Sequence, residues 1–147
     1  MYSAHSFCGT PEYFAPEMIT KIGHGMPVDW WALGSIIYEM MTGLPPYFNK
    51  EQNREKLFHA ILTQELKYPS YFSPVCCDLL SVFFKKKLLI KDPMKRLGSF
   101  GRDAEEIKEH PWFAEINWIS ILNKEIKAPK KPKIVNPEDV KYFDPVY

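Results

Sequence analysis

The hydrophobic and polar positions along this chain predict helices separated by proline-rich loops. Residues 28–41, VDWWALGSIIYEMM, are apolar on almost every face, which is typical of a helix at the centre of a core. Residues 51–65 alternate charged side chains with apolar ones three and four positions apart. This spacing predicts an amphipathic helix on the surface.

Further helices are predicted in the second half of the chain. Ser73 followed by Pro74 is a typical helix start, and the apolar pattern extends that helix to about residue 89. Its apolar side chains should point inward and its lysines outward; the inward set is Leu79, Leu80, Phe83 and Phe84. Residues 104–109 and 118–122 predict two short helices. From residue 128 onward no helical period remains, and no segment alternates like a strand, so the predicted fold is mainly α with an extended tail.

Composition fits one compact domain with a real core. The chain has 147 residues, of which 46% are hydrophobic and 15% aromatic, and these values argue against a disordered chain. The net charge of +1 gives no overall attraction to nucleic acid or membranes. Residues 51–100 nevertheless carry nine Lys and Arg against five acids. A solvated helix face explains this excess, with an anion-binding or membrane-binding surface as the alternative.

The cysteines and histidines indicate neither a disulfide framework nor a metal site. Cys8 is isolated, Cys76 and Cys77 are adjacent, and the four histidines lack metal-ligand spacing. Reduced thiols favour an intracellular protein. The sequence shows neither a signal peptide nor an apolar run of membrane-spanning length. We therefore expect a soluble protein in the cytoplasm or nucleus, with no metal site and no membrane span.

The most informative stretch is residues 6–17, SFCGTPEYFAPE. Gly9, Pro11 and Pro16 keep it out of regular helix, so it should form a shaped, extended loop. Small hydroxyls, an aromatic ring and two carboxylates are spaced along it. Such a loop is better suited to presenting groups to a peptide than to filling a core.

Four landmarks in this order resemble the C-terminal half of an AGC-group serine/threonine protein kinase. They are CGTPEYFAPE (8–17), DWWALGSIIYEMMTGLPPY (29–47), KDPMKRLG (91–98) with DAEEIKEHPWF (103–113), and DVKYFDPVY (139–147). Together they cover nearly the whole chain. The resemblance implies a partial kinase domain over residues 1–113, comprising the activation segment and helices of the C-terminal lobe. It also implies an AGC-type C-terminal tail over residues 114–147.

The family's activity is ATP-dependent phosphorylation of serine and threonine in proteins, with ATP and Mg²⁺ as cofactors of the full-length kinase. The resemblance implies protein substrates with basic residues upstream of the phosphorylated Ser or Thr. Ser6 matches the activation-loop phosphorylation site, which implies an upstream activating kinase; a plain loop serine is the alternative. A phosphate at this position would add about −1.5 to −2 charges. No nucleic-acid partner is expected.

Several residues match substrate-binding positions of the family. Thr10 matches a threonine that contacts the catalytic aspartate and lysine. With Pro11 and Tyr13, it shapes the pocket for the residue after the phosphorylated one. Glu39 matches a carboxylate that binds basic side chains upstream of that residue. An unpaired carboxylate near the end of an apolar helix would be costly, which supports a role in binding arginine.

Three residues match structural positions. Glu17 and Arg96 match a buried ion pair that fixes the activation segment to the helical lobe; two unrelated surface charges are the alternative. Asp29 matches an aspartate that begins the central helix and binds the catalytic-loop backbone, although it could equally be a simple N-cap.

The tail contributes one more match, Phe143, an aromatic that closes over the adenine of ATP. A hydrophobic anchor without a nucleotide is the alternative for Phe143. Residues 128–132, Ala-Pro-Lys-Lys-Pro, resemble an element that grips the N-terminal lobe.

The parts that perform phosphoryl transfer do not occur in this sequence. It has no glycine-rich phosphate loop, no catalytic-loop aspartate and no Asp-Phe-Gly. The Arg-Asp pair at 102–103 does not match, because Lys108 occupies the position of the metal-binding asparagine. We expect no catalytic residue in this chain, no tight cofactor binding and no kinase activity of the chain alone.

Three interpretations remain open at this stage. The chain could be part of a longer kinase, a non-catalytic module that binds basic peptides or protein partners, or a fragment without an independent role. In each case we expect exposed apolar surface, marginal stability and a tendency to associate.

Overall fold

The computed structural model of the chain describes residues 4–81, 87–99 and 101–144. The chain divides into two compact units, Met1–Glu115 and Ile116–Tyr147. Five α-helices of the described residues lie in the first unit: α1 (Pro16–Thr20), α2 (Pro27–Thr42), α3 (Arg54–Thr63), α4 (Pro74–Leu80) and α5 (Ala104–Lys108). Short 3₁₀ turns lie at Pro11–Tyr13, Pro93–Lys95 and Pro111–Phe113. Apart from one isolated bridge between Ala4 and His24, the described residues form no β-structure, which confirms the mainly helical prediction.

Helix α2 is the longest element, and its burial differs from the prediction of a helix enclosed on all sides. One face is buried through Trp31, Gly34, Ser35, Ile37 and Tyr38. The opposite face exposes Ile36, Met40 and Met41. The helix packs on α4 and on the Pro93–Lys95 turn, and Met40 on the other face is 80% exposed. This finding confirms the predicted exposed apolar surface.

Close packing at the buried face depends on Gly34. A Cβ atom there would lie 2.9 Å from Leu88 Cβ and 2.9 Å from a methyl carbon of Leu89. Real Cβ contacts are longer, so the absence of a side chain lets the Leu88–Leu89 turn approach the α2 backbone. Leu88 and Leu89 are fully buried as a result.

Helix α4 begins as predicted but ends earlier. The Ser73 hydroxyl accepts a hydrogen bond from the Cys76 N–H at 3.2 Å, which is the expected N-cap. The helix ends at Leu80, not near residue 89, because Ser81 is extended and the Leu88 N–H donates to the Leu79 carbonyl at 3.0 Å. Terminal carbonyls of α4 are therefore satisfied by the returning chain and by the Tyr68 hydroxyl.

The side chains of this region follow the prediction in part. Leu79 and Leu80 are buried, as predicted, whereas Phe83 and Phe84 lie outside the described residues. Lys87 was predicted to point outward and is instead mostly buried, because its Nζ donates to the Asp78 carboxylate at 2.5 Å. His110 Nε2 lies 3.1 Å from the same carboxylate oxygen.

The remaining predicted helices agree with the structure. Helix α3 buries Leu57, Ala60 and Ile61, and Asn53 caps it by accepting from the Lys56 N–H at 3.0 Å. In the second unit, α6 spans Trp118–Leu122, as predicted, and the described residues from 128 to 144 contain no helix. Within the described ranges no helix is long and apolar enough to cross a membrane.

Candidate functional site

Residues 6–17, the loop predicted from the sequence, form a defined turn at their centre. Gly9 has a φ of +118°, a value that L-residues rarely adopt, and a Cβ there would lie 3.3 Å from the Phe14 ring. Pro11 then begins a 3₁₀ turn, in which the Tyr13 N–H donates to the Thr10 carbonyl at 3.1 Å. The turn holds the Thr10 side chain exposed and leaves Pro11 and Tyr13 half-buried.

An aromatic cluster anchors the loop to α3. The Phe7 ring contacts Phe14 edge-on at 4.9 Å between centroids, and both rings lie 6.0 Å from the Phe58 ring. Lys21 Nζ lies 5.6 Å from the centroid of the Phe7 ring. Sequence reasoning missed this cluster because the three phenylalanines have no common period, although an aromatic residue directly after Ser6 was the available signal.

Ser6, the predicted phosphorylation site, lies between two residues that are held in place by contacts. Ala4 and His24 exchange backbone hydrogen bonds of 2.9 and 3.0 Å, and Phe7 joins the aromatic cluster. Ser6, between them, is exposed. A modifying enzyme therefore has access to this side chain while its neighbours are held in place.

Tyr13 and Glu39 are brought together by the fold. The Tyr13 hydroxyl donates to Glu39 Oε2 at 2.6 Å, which joins the loop to the C-terminal part of α2. The hydrogen bond to the Glu39 carboxylate, followed by partial burial, raises the pKa of Tyr13 above its ordinary value. Glu39 remains partly exposed, so its second carboxylate oxygen is available to a basic side chain.

Glu17 and Arg96 form a buried ion pair. Arg96 donates to both carboxylate oxygens of Glu17, at 2.6 and 2.9 Å. Only 3% of Glu17 and 2% of Arg96 is exposed. The alternative of two unrelated surface charges is therefore excluded by the geometry.

Arg96 has further partners that the sequence did not reveal. Its guanidinium donates to the Pro27 carbonyl at 2.6 Å and to the Ile90 carbonyl at 3.0 Å. It also lies 5.2 Å from the Trp31 ring. One side chain thus joins the start of α1, the start of α2 and the loop before the Pro93–Lys95 turn, and its donors are largely satisfied.

Asp29 does not cap helix α2. The helix begins at Pro27, Met26 occupies the N-cap position, and Asp29 lies in the first turn with an exposed side chain. Proline at the first helical position sets this start, because its missing N–H is not needed there. An acid in the first turn still interacts favourably with the helix dipole. The proposed bond of Asp29 to a catalytic-loop backbone stays a prediction.

Two observations concern the predicted cofactor residues. No group of three or more His, Cys, Asp or Glu side chains in that part of the chain is arranged to bind a metal ion. Phe143 is 74% exposed, and no ring contact to another described residue is present. The role of Phe143 over adenine stays a prediction.

Comparison with known proteins assigns the family. The sequence profile of the protein kinase domain matches residues 1–113. The chain belongs to the protein kinase family. Protein kinase 2 of Dictyostelium discoideum is 45% identical over 142 residues, which cover 97% of this kinase chain and 28% of that protein. The human RAC-beta serine/threonine-protein kinase is 44% identical over 139 residues, covering 95% of this chain and 27% of the relative. The RAC-beta serine/threonine-protein kinase of Rattus norvegicus is 43% identical over 139 residues, which again cover 95% of this chain and 27% of the relative.

These relatives confirm the predicted resemblance to AGC-group serine/threonine kinases. This kinase chain spans about a quarter of the length of the curated relatives that it matches. The matched region includes residues 6–17, the Glu17–Arg96 pair and helix α2.

Proposed function

We propose that this chain forms the substrate-facing and regulated part of an AGC-type serine/threonine kinase. The whole protein would transfer phosphate from ATP, with Mg²⁺, to Ser or Thr in protein substrates. It would act in the cytoplasm or nucleus. The observation that carries this proposal is the attachment of the loop at the end of its central turn and beyond it, through Tyr13 to Glu39 and through Glu17 to Arg96.

The role of each site residue follows from its position. Thr10 and Pro11 present the turn where the residue after the phosphorylated one would bind, and Tyr13 fixes the shape of that turn. Glu39 would accept hydrogen bonds from an arginine upstream of the phosphorylated residue, because one carboxylate oxygen remains available beside the Tyr13 hydroxyl. A substrate with a basic upstream residue would therefore be preferred.

Ser6 would be the site on which an upstream kinase acts. It is exposed, and its neighbours are anchored by the Ala4–His24 bridge and the Phe7 ring. A phosphate with about −1.5 to −2 charges would pair with basic side chains, and Lys21, whose Nζ lies 5.6 Å from the centroid of the adjacent Phe7 ring, offers one. In this role the phosphate would further order a loop that is already attached at two points.

Phosphoryl transfer would require residues that the sequence of this chain does not contain. We therefore expect no transfer of radiolabelled phosphate from ATP to an arginine-containing serine peptide by the purified chain. Magnesium-dependent turnover above a blank reaction would contradict this expectation. Reading the transcript upstream of Met1 tests the larger proposal, since an in-frame Asp-Phe-Gly would support a kinase.

A non-catalytic module that binds basic peptides is the second candidate. It is favoured by the half-exposed Glu39 carboxylate, whose hydrogen bond to Tyr13 fixes its position without a nucleotide. Calorimetry with an arginine-containing peptide tests it. Glu39→Gln should weaken binding about tenfold or more, since a hydrogen bond to a charged group contributes about 1.5–3 kcal/mol. Glu115→Gln is the matched control and should retain binding, because it makes the same change at an exposed carboxylate outside the proposed site.

A further inference from the structure

A cleft in the first unit, lined by neither Tyr13 nor Glu39, has a volume of about 530 Å³. Its size falls within the range of sites that hold peptides and small ligands. It lies between the C-terminal half of α2, the loop that follows it, helix α3 and the chain after α3. Its lining residues are Tyr38, Pro46, Tyr47, Phe48, Asn49, Lys50, Lys56, Ala60, Gln64, Glu65 and Lys67.

The rim of this cleft is predominantly basic. Lys50, Lys56 and Lys67 line it together with a single acid, Glu65. Lys56 is neutralised by Glu51, to which its Nζ donates at 2.5 Å. Lys50 and Lys67 are exposed and have no ion-pair partner among the described residues.

The chain after α3, which carries Lys67, is held in place by hydrogen bonds to its backbone carbonyls. The Tyr38 hydroxyl donates to the Lys67 carbonyl at 2.8 Å. Lys91 Nζ donates to the Gln64 carbonyl at 2.7 Å. Because the loop after α3 is tied to α2 and to Lys91, the backbone that carries the exposed Lys67 side chain is held in place before a ligand arrives. Such preorganisation lowers the entropic cost of binding.

The floor of the cleft is aromatic. Only 8% of Tyr47 is exposed. Its ring is stacked parallel to the Trp31 ring, with 6.4 Å between centroids and an interplanar angle of 2°. Burial raises the pKa of Tyr47 to about 12, so the floor is neutral at physiological pH. Phe48 is 43% exposed at the edge of the cleft and offers an apolar surface to a ligand.

We propose that this cleft binds an acidic peptide segment of a protein partner that carries an apolar side chain between its carboxylates. The unpaired Lys50 and Lys67 would pair with the acids, and Phe48 would contact the apolar side chain. Charge complementarity selects this occupant over a basic one. Two unpaired lysines are too few for the many phosphate contacts that nucleic acid requires. The inference does not rest on the proposed kinase activity, because it uses none of the residues assigned to substrate binding.

Fluorescence anisotropy of the full 147-residue chain with a labelled peptide tests the proposal. The probe is a fluorescein-labelled, capped pentapeptide with two glutamates on each side of a leucine. We expect saturable binding that weakens as salt is raised, and no binding of the glutamine analogue. Equal binding of the two peptides, or no binding of either, would overturn the proposal.

Variants then locate the site. Lys50→Glu combined with Lys67→Glu should weaken binding about tenfold, because two exposed attractions become repulsions. Lys130→Glu with Lys131→Glu is the control; it makes the same change in net charge at exposed positions of the second unit and should leave binding unchanged. Phe48→Ala should weaken binding of the leucine peptide but not of a version with glycine in its place. Equal losses in both double variants, or tighter binding to phosphatidylserine vesicles than to the peptide with the same dependence on Lys50 and Lys67, would contradict a peptide site.

Discussion

Replacement of Arg96 by methionine should strongly destabilise the first unit. Arg96→Met keeps an unbranched side chain of similar length but removes the donors to Glu17, to the Pro27 carbonyl and to the Ile90 carbonyl. The Glu17 carboxylate is then left 3% exposed without its partner. Breaking a buried pair from one side costs about 3–5 kcal/mol, because the remaining charge is desolvated and uncompensated.

This cost is large compared with the stability of a small domain, which is about 5–15 kcal/mol. With a denaturant slope of about 2 kcal/mol per molar urea, the unfolding midpoint should fall by roughly 2 M. Tryptophan fluorescence reports the transition, since Trp31 lies 5.2 Å from the Arg96 guanidinium. Combining Arg96→Met with Glu17→Leu should recover most of the loss, because no buried charge then remains.

Arg102→Met is the matched control. Arg102 forms an ion pair with Glu109 in which both side chains are mainly exposed, so its removal should leave the urea midpoint almost unchanged. The reasoning fails if Arg96→Met costs no more than Arg102→Met. It fails equally if the Glu17→Leu and Arg96→Met effects simply add in the double variant, because the two side chains would then not be coupled.

Three further substitutions test other parts of the fold by urea unfolding. Gly34→Ala should destabilise by about 1–3 kcal/mol, because the new Cβ would lie 2.9 Å from Leu88 Cβ; an unchanged midpoint would show that the turn moves freely. Ser73→Ala should cost about 1 kcal/mol through loss of the α4 N-cap, and Ser73→Asp, which restores an acceptor, should recover it. The hydrogen bond from Lys87 lowers the pKa of Asp78 in the folded state. The Asp78 carboxylate therefore stabilises the fold at pH values above its unfolded pKa of about 3.9. This stabilisation is lost as the pH falls through the lower pKa of the folded state. Asp78→Asn should therefore destabilise at pH 7, and the difference should shrink below about pH 4; a difference independent of pH would refute this cause.

Local rules predicted most helices and their starts. Ser73 with Pro74 set the start of α4, and the spacing in residues 51–65 predicted α3 with its buried face. The predicted end of α4 near residue 89 was wrong, because the apolar pattern continues beyond Leu80, where the helix ends. Leu88 and Leu89 are buried through a turn against Gly34, and a tertiary contact of this kind leaves no helical or strand period in the sequence.

The candidate site was predicted through motif positions more than through physical patterns. The resemblance paired Glu17 with Arg96 across 79 positions, which no local rule could do. It did not reveal that Arg96 also binds two carbonyls, nor that Tyr13 donates to Glu39. Those contacts depend on how loops cross in three dimensions, and the sequence encodes them only through the whole fold.

The most direct test of the substrate-facing role is a nuclear magnetic resonance titration of the ¹⁵N-labelled chain with an arginine-containing serine peptide. The account predicts the largest amide shift changes at Thr10, Tyr13 and Glu39, and their loss in Glu39→Gln. An absence of shift changes, or changes confined to the cleft between Lys50 and Lys67, would contradict the assignment of residues 6–17 and Glu39 as the substrate-binding surface.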